Sequence, residues 1–276
     1  MLLYIYSFFC HDAKKNFKST VHMFPFILAL IGCLSQRTTN QSESHQHQTF
    51  QLPFFKDAES LNRELGLLRL RQLEDEDNIL VLSELTAGFT VQAMMADNKD
   101  SQRSLELARQ YGTRCLRTSS GFESLLQSRG VRITPKAVNV LEDEPQLKHC
   151  KRWTGIAWSL WLLERGVLGA SIDVKSVQAM SPSKPKGPFE QYQLALSYAL
   201  DLDSTKNEQI SELLLKASQK SVLPHRMHYE HWRLLGNNVT DDWLKLLSTA
   251  DISSLNAVER EAIQRVFPDR ISPSLE

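Results

Sequence analysis

Apolar residues recur along most of the chain at three- and four-residue steps, the period of a helix that buries one side. Within residues 57–73 the stripe is Leu61, Leu65, Leu68 and Leu73, with Asp57 placed to cap the first turn. Over residues 79–96 no polar face remains: Ile79, Leu80, Leu82, Leu85, Phe89, Ala93 and Met94 fall on all sides, which predicts a helix enclosed on most faces. Asp97-Asn98-Lys99-Asp100 interrupts the pattern. Asp100 or Ser101 can cap a third helix, along one side of which lie Leu105, Ala108, Tyr111, Gly112 and Cys115, and Ser120-Gly121 reads as its end.

A shorter helix is expected over residues 122–127. Another opens at Thr134-Pro135, with proline in the first helical position. The strongest element spans residues 145–165, where Trp153, Ile156, Ala157, Leu160 and Trp161 form one stripe and Trp158 and Leu162 widen it; this predicts a central core helix. After a Pro- and Lys-rich loop at residues 181–188, helical spacing returns with Phe189, Tyr192, Leu196 and Ala199, then with Ile210, Leu213, Leu214 and Ala217. Leu223-Pro224 opens a helix that runs through Trp232 and Leu235 to Gly236. Asp241 caps a short one with Trp243, Leu246 and Leu247, and the last extends from Asn256 to Val266.

About ten helices joined by short turns, with no strand pattern, predict an all-α fold of helical hairpins. It is a bundle or a solenoid of degenerate tetratricopeptide-like units. A clean 34-residue repeat is absent, although Ala108, Gly112, Ala195 and Ala199 would let helices approach closely. Composition agrees: 41 Leu stand against 24 Val plus Ile in 276 residues. Basic and acidic residues balance at 32 each, which argues against a nucleic-acid partner.

The N-terminus changes the picture. Lys14, Lys15 and Lys18 precede the apolar run Met-Phe-Pro-Phe-Ile-Leu-Ala-Leu-Ile at residues 23–31, the order of charges and apolar residues in a secretory signal. The run ends in Leu30-Ile31-Gly32-Cys33, which resembles the lipobox of bacterial lipoproteins. That resemblance implies cleavage before Cys33 and acylation of Cys33; several acyl chains give stable anchoring where one gives marginal binding. Leu34, in place of an aspartate, implies by the same family rule an outer-membrane anchor facing the periplasm. Residues 35–48 are nearly all polar and should remain a flexible tether. The expected organisation is therefore a signal peptide at 1–32, a tether at 33–54 and a helical tetratricopeptide-like domain at 55–276.

Candidate chemistry is sparse. His225, His228, Glu230 and His231 cluster in one helix. His225 and His228 share a face and could meet a metal, but His231 lies roughly 120° round from His225, so the three cannot converge, and a half-exposed helix surface is the better reading. Glu74-Asp75-Glu76-Asp77 lacks the alternating ligands and central glycine of a calcium loop and reads as a solvated turn with a helix cap. No Gly-x-Ser-x-Gly elbow, Walker loop or dinucleotide fingerprint occurs. No catalytic residue, metal or cofactor is expected, and the chain does not read as an enzyme. Cys115 and Cys150 could pair in an oxidising compartment or remain free in a helical core. The Trp153, Trp158 and Trp161 stripe reads as core packing, a part of which could line an apolar channel between helices.

Residues 79–167 present a further sequence of features: an apolar helix; Leu107-Ala108-Arg109-Gln110-Tyr111-Gly112 and then Arg114-Cys115-Leu116; Gly121-Phe122-Glu123-Ser124-Leu125; Asp143-Glu144-Pro145; and the aromatic helix Trp153-Thr154-Gly155-Ile156-Ala157-Trp158-Ser159-Leu160-Trp161. This order resembles the T-component lipoproteins of tripartite ATP-independent periplasmic (TRAP) transporters, a TatT-like family. It covers about a third of the chain, and after Val167 the Pro/Lys loop replaces the family's longer glycine-containing segment. The resemblance implies a non-enzymatic, cryptically tetratricopeptide-like accessory subunit. Its partner would be a periplasmic substrate-binding protein or another envelope protein, its ligand an apolar molecule or an organic acid, and it could form a homo-oligomer. The rival expectation is a tetratricopeptide-like lipoprotein scaffold for outer-membrane assembly or secretion.

Overall fold

Side-chain caps fix where the helices start. In a computed structural model, the carboxylate of Asp57 accepts the Ser60 N–H at 2.7 Å and opens α1 (Ala58–Glu74). Asn78 accepts the Val81 N–H at 3.1 Å and opens α2 (Ile79–Met95). The third helix, α3 (Asn98–Arg117), begins ahead of the expected Asp100 or Ser101. Ser120-Gly121 does not end a unit. The Ser119 hydroxyl accepts the Phe122 N–H at 3.1 Å, and α4 (Ser120–Ser128) starts there. Thr134 caps α5 (Pro135–Val140), with Pro135 in its first turn. Two short 3-10 turns lead into α6 (Lys148–Arg165). There follow α7 (Ser171–Met180), α8 (Pro188–Ala199), α9 (Asn207–Lys220), α10 (Pro224–Leu235) and α11 (Ala257–Val266). Helix α10 stops at Gly236, whose φ of 73° is one that side chains rarely adopt.

These elements belong to one unit within residues 50–276. The residues described are 57–96, 98–128, 130, 132–166, 171–201, 203–236 and 252–267. The expected signal, the Cys33 lipidation site, the tether and the Asp241 helix lie outside them. Among the described residues there is no strand, and the fold is all-α, built of successive helical hairpins. None of these helices is long and apolar enough to cross a membrane.

Burial follows the apolar stripes with one slip of register. Leu61, Leu65 and Leu68 of α1 are buried, but the next inward position is Gln72, and Leu73, about 100° further round, is 71% exposed. Thirteen residues of α2 are buried, as its all-round apolar pattern predicts; Thr86 and Thr90 are accommodated by donating their hydroxyls to the carbonyls of Leu82 and Thr86, both at 2.7 Å. Helix α6 is the expected centre: it packs on α2, α3, α7 and α8, with Trp153, Ile156, Ala157 and Leu160 in the main core. Late in the chain, α11 returns to pack on α2. In a solenoid each repeat touches only its neighbours, so these contacts between helices distant in sequence make the unit a bundle.

Two devices hold α3 to α6. Gly112 faces Thr154 so closely that a Cβ would lie 2.2 Å from the threonine Oγ1. Three residues on, Cys115 forms a disulfide with Cys150, their Cα atoms 6.1 Å apart. Of the two alternatives the sequence left open for these cysteines, the structure takes the pair.

Candidate functional site

An open groove of about 850 Å³ runs along the outer side of α3. Four-residue spacing builds it, placing Arg109, Thr113 and Arg117 in one row and Gln110 and Arg114 in the next. Glu106 closes one part of the wall, Asp77 comes from the α1–α2 turn, and Glu123 comes from α4.

Two of the three arginines are committed to carboxylates. Arg114 donates to Glu76 at 2.7 Å and to Asp77 at 3.3 Å, so the acidic turn is an anchor for α3 as well as a solvated connection. Arg117 makes a two-pronged contact with Glu123 at 2.6 and 2.8 Å, and these hydrogen bonds hold the Glu123 carboxyl below its ordinary range.

Arg109 is different. Its guanidinium lies 3.7 Å from the centre of the Trp161 ring and 4.9 Å from that of Trp158, and Arg165 covers Trp161 at 4.3 Å. Among the described residues no carboxylate lies within ion-pair distance of Arg109, and it makes no hydrogen bond. Burial lowers its pKa, with Asp173 and Glu106 acting the other way from a distance. Its Nε and the indole Nε1 atoms of Trp158 and Trp161 are all buried donors without an acceptor. The groove is thus charged and open, lined by Arg109 but by neither tryptophan behind it; it is no apolar channel. Trp158 and Trp161 belong partly to the core, as expected, and partly to this stack.

The two segments that carry the family resemblance meet here. Leu107 and Ala108 pack in the core, Arg109 stacks on the aromatic helix, Tyr111 stacks on Phe89 with ring centres 5.6 Å apart, and Gly112 admits Thr154. Sequence reasoning quoted Arg109 without assigning it anything. The signal available was three arginines, 109, 114 and 117, at five- and three-residue steps on a helix whose neighbour bears two tryptophans three residues apart.

The histidine cluster has another fate. The helix is half-exposed, as expected, at His225 and His228, but its other face is a buried ionic core: Arg226, Met227, Tyr229, Glu230 and His231 are all buried. Glu230 is fully enclosed between Arg226 at 2.5 Å and Arg233 at 2.7 Å, and Tyr192 donates its hydroxyl to it at 3.3 Å. Burial opposes the charge of Glu230, but the two guanidiniums outweigh it and hold the carboxyl below its usual range. His231 exchanges a hydrogen bond with Ser211 at 2.8 Å. Burial, with His225 and His231 nearby, depresses His228 to about 4. Among the described residues no group of three or more His, Cys, Asp or Glu side chains is placed to hold a metal. The spacing of Arg226, Glu230 and Arg233 at four and three residues was the readable sign of this triad.

Comparison with family models, with curated proteins and with solved structures finds nothing that matches the chain.

Proposed function

We propose that this chain is a non-enzymatic, lipid-anchored docking subunit of the bacterial cell envelope, an accessory of the T-component kind to a tripartite ATP-independent periplasmic transport system. The observation that carries the reading is the convergence on α3 and α6. Segments some forty residues apart that carry the resemblance to that family lie against one another, and the first of them lines the charged groove on its outer side. Its open shape and alternating charges suit the surface of a protein partner better than an apolar small molecule, which needs an enclosed apolar cavity. The Cys115–Cys150 disulfide fits a chain exported to an oxidising compartment. Outer-membrane anchoring through Cys33 and a periplasmic substrate-binding protein as partner remain part of the proposal, resting on the sequence resemblance.

The test has two arms in a Gram-negative host. The full-length chain is expected to be membrane-bound and to carry a diacylglycerol-sized mass increase at Cys33, while Cys33→Ala is soluble or unprocessed. Binding to a periplasmic substrate-binding protein of a tripartite ATP-independent system is expected for the wild type, and Arg114→Glu with Arg117→Glu should weaken it at least tenfold. An unmodified cytosolic chain overturns the envelope reading. A lipidated chain that binds outer-membrane assembly or secretion components through the same groove replaces the transporter with the scaffold.

A further inference from the structure

We infer that α1 is a self-association surface, on which a second copy of this chain docks its own α1 in antiparallel register. Five large apolar side chains are exposed among the described residues, and three of them, Leu67, Leu70 and Leu73 at 46%, 60% and 71%, stand on this one helix. At 3.6 residues per turn they fall with Gly66 within about 120° of the helix surface, opposite the buried row of Leu61, Leu65, Leu68 and Gln72. The stripe thus faces away from α2, on which α1 packs. Single exposed leucines are ordinary, whereas a row of three is an apolar face. Gly66 points to what covers it. A glycine in mid-helix weakens the helix, and nothing lies within 4 Å of the Cβ it lacks, so the fold of the single chain gives no reason for it. A helix laid across the stripe does, because the missing side chain lets its backbone approach.

The charges along the stripe are self-complementary in one direction only. Arg63 lies toward its N-terminal end and Glu74 at its C-terminal end, both exposed on the same flank of Leu70. With a two-fold axis midway between Leu67 and Leu70, Leu67 of one copy falls opposite Leu70 of the other, and Arg63 opposite Glu74, each pair occurring twice. Leu73 of one copy then nears Gly66 of the other. Parallel in-register pairing would instead set Arg63 against Arg63 and Glu74 against Glu74. Arg63 already meets Glu59 at 3.6 Å across solvent, and the second copy adds a carboxylate without displacing that one, since Glu59 itself falls opposite Asn78. A pair of 17-residue helices buries less than the roughly 1,200 Å² of a standard interface, so the association is reversible and micromolar. The α3 groove supplies none of these residues, and the inference stands apart from the docking proposal.

The full-length chain is brought to sedimentation equilibrium at several concentrations, in a non-ionic detergent whose buoyant density the solvent matches, so that only protein mass is read. A concentration-dependent monomer–dimer equilibrium is expected. Leu70→Glu should weaken it about tenfold or more, and leave the helical circular dichroism unchanged because the side chain is exposed in the single chain. Arg63→Glu should weaken it several-fold, and Arg63→Glu combined with Glu74→Arg should restore it, which parallel pairing would not do. Gly66→Ala should move two measurements in opposite directions: it raises stability in denaturant unfolding at low concentration and weakens the dimer. Lys216→Gln, on the exposed side of α9, should leave association unchanged. A monomer at every concentration overturns the inference, and this is the outcome if a different protein covers α1. A trimer, a dimer indifferent to Leu70→Glu, or a double charge exchange that fails to recover association overturns it too. Partner binding with the Arg114 and Arg117 variants is read separately, so the docking proposal and this one fail independently.

Discussion

A methyl group on residue 112 would sit 2.2 Å from Thr154 Oγ1 and 3.0 Å from its Cβ, distances that no small adjustment absorbs. Gly112→Ala is therefore expected to cost about 1–3 kcal/mol through overpacking at the α3–α6 contact. Thr154 Oγ1 is itself buried without a hydrogen-bond partner, so Thr154→Ala removes both the obstacle and an unsatisfied group. Denaturant unfolding of the two single variants and the double should show coupling of at least about 1 kcal/mol, with the double recovering most of the loss. Additive effects would mean that close approach is not why glycine stands there. Glu230 makes the complementary case. Both its oxygens hold buried guanidiniums, so Glu230→Ala leaves two uncompensated cations and should cost about 3–5 kcal/mol by the same measurement. Removing exposed Glu59, paired with Arg63 at 3.6 Å across solvent, should leave the unfolding midpoint where it is.

At the scale of elements, the disulfide closes a 35-residue separation between α3 and α6 and spans α4 and α5. Constraint of the unfolded chain over such a loop is worth about 3–4 kcal/mol, so unfolding with and without reductant should differ by that order, as should Cys115→Ala from wild type. An equal midpoint in both states would show that the cysteines are reduced in the folded protein. Helices α2, α6 and α8 were readable from apolar period because their packing is what the period encodes: each buries most of the residues its pattern names, with Leu80 of α2 the exposed exception. The limits were set where polar groups decide. Gln72 turns inward and Leu73 outward because the 61–65–68–72 row continues at helical pitch, a one-residue matter that hydropathy ranks the wrong way. Helix α10 reads as a polar surface, yet ion pairs within its own sequence and Tyr192 of α8 let it be buried. The groove was missed for a related reason. Spacing reveals that Arg109, Arg114 and Arg117 share a side of α3, but which of them finds a carboxylate depends on the α1–α2 turn and on α4, which no local pattern of α3 contains.

The whole molecule carries opposing titrations between pH 4 and 7, and its stability there is a balance. Glu259 of α11 is 2% exposed and accepts the backbone N–H groups of His225 at 2.8 Å and Arg226 at 3.1 Å, tying α11 to the first turn of α10. Burial nevertheless raises its carboxyl to about 7, against the pull of those two donors. A carboxyl raised in the folded state binds its proton more tightly than the unfolded chain does. Its stabilising contribution is full below about pH 4.5 and is lost as pH rises through about 7, on the order of 3 kcal/mol. His228 acts in the other direction. Its folded pKa, depressed to about 4, lies below the unfolded value near 6.5, so its contribution is full above that value and is lost as pH falls through about 4. His225 and His231 are also depressed by burial and add with the same sign as His228. Wild-type stability should therefore vary little from pH 4.5 to 7. It should fall steeply only below that window, as Glu190, which Lys186, Lys148 and Arg152 bring down to about 2 despite burial, takes up its proton. Substitution unmasks the two halves. Glu259→Gln removes the acidic branch, so denaturant unfolding at pH 5 and 7 should show stability increasing with pH; His228→Asn removes most of the basic branch and should show it decreasing. Parallel profiles for wild type and both variants would mean that the junction of α10 and α11 does not titrate in this range, and that the flatness has another origin.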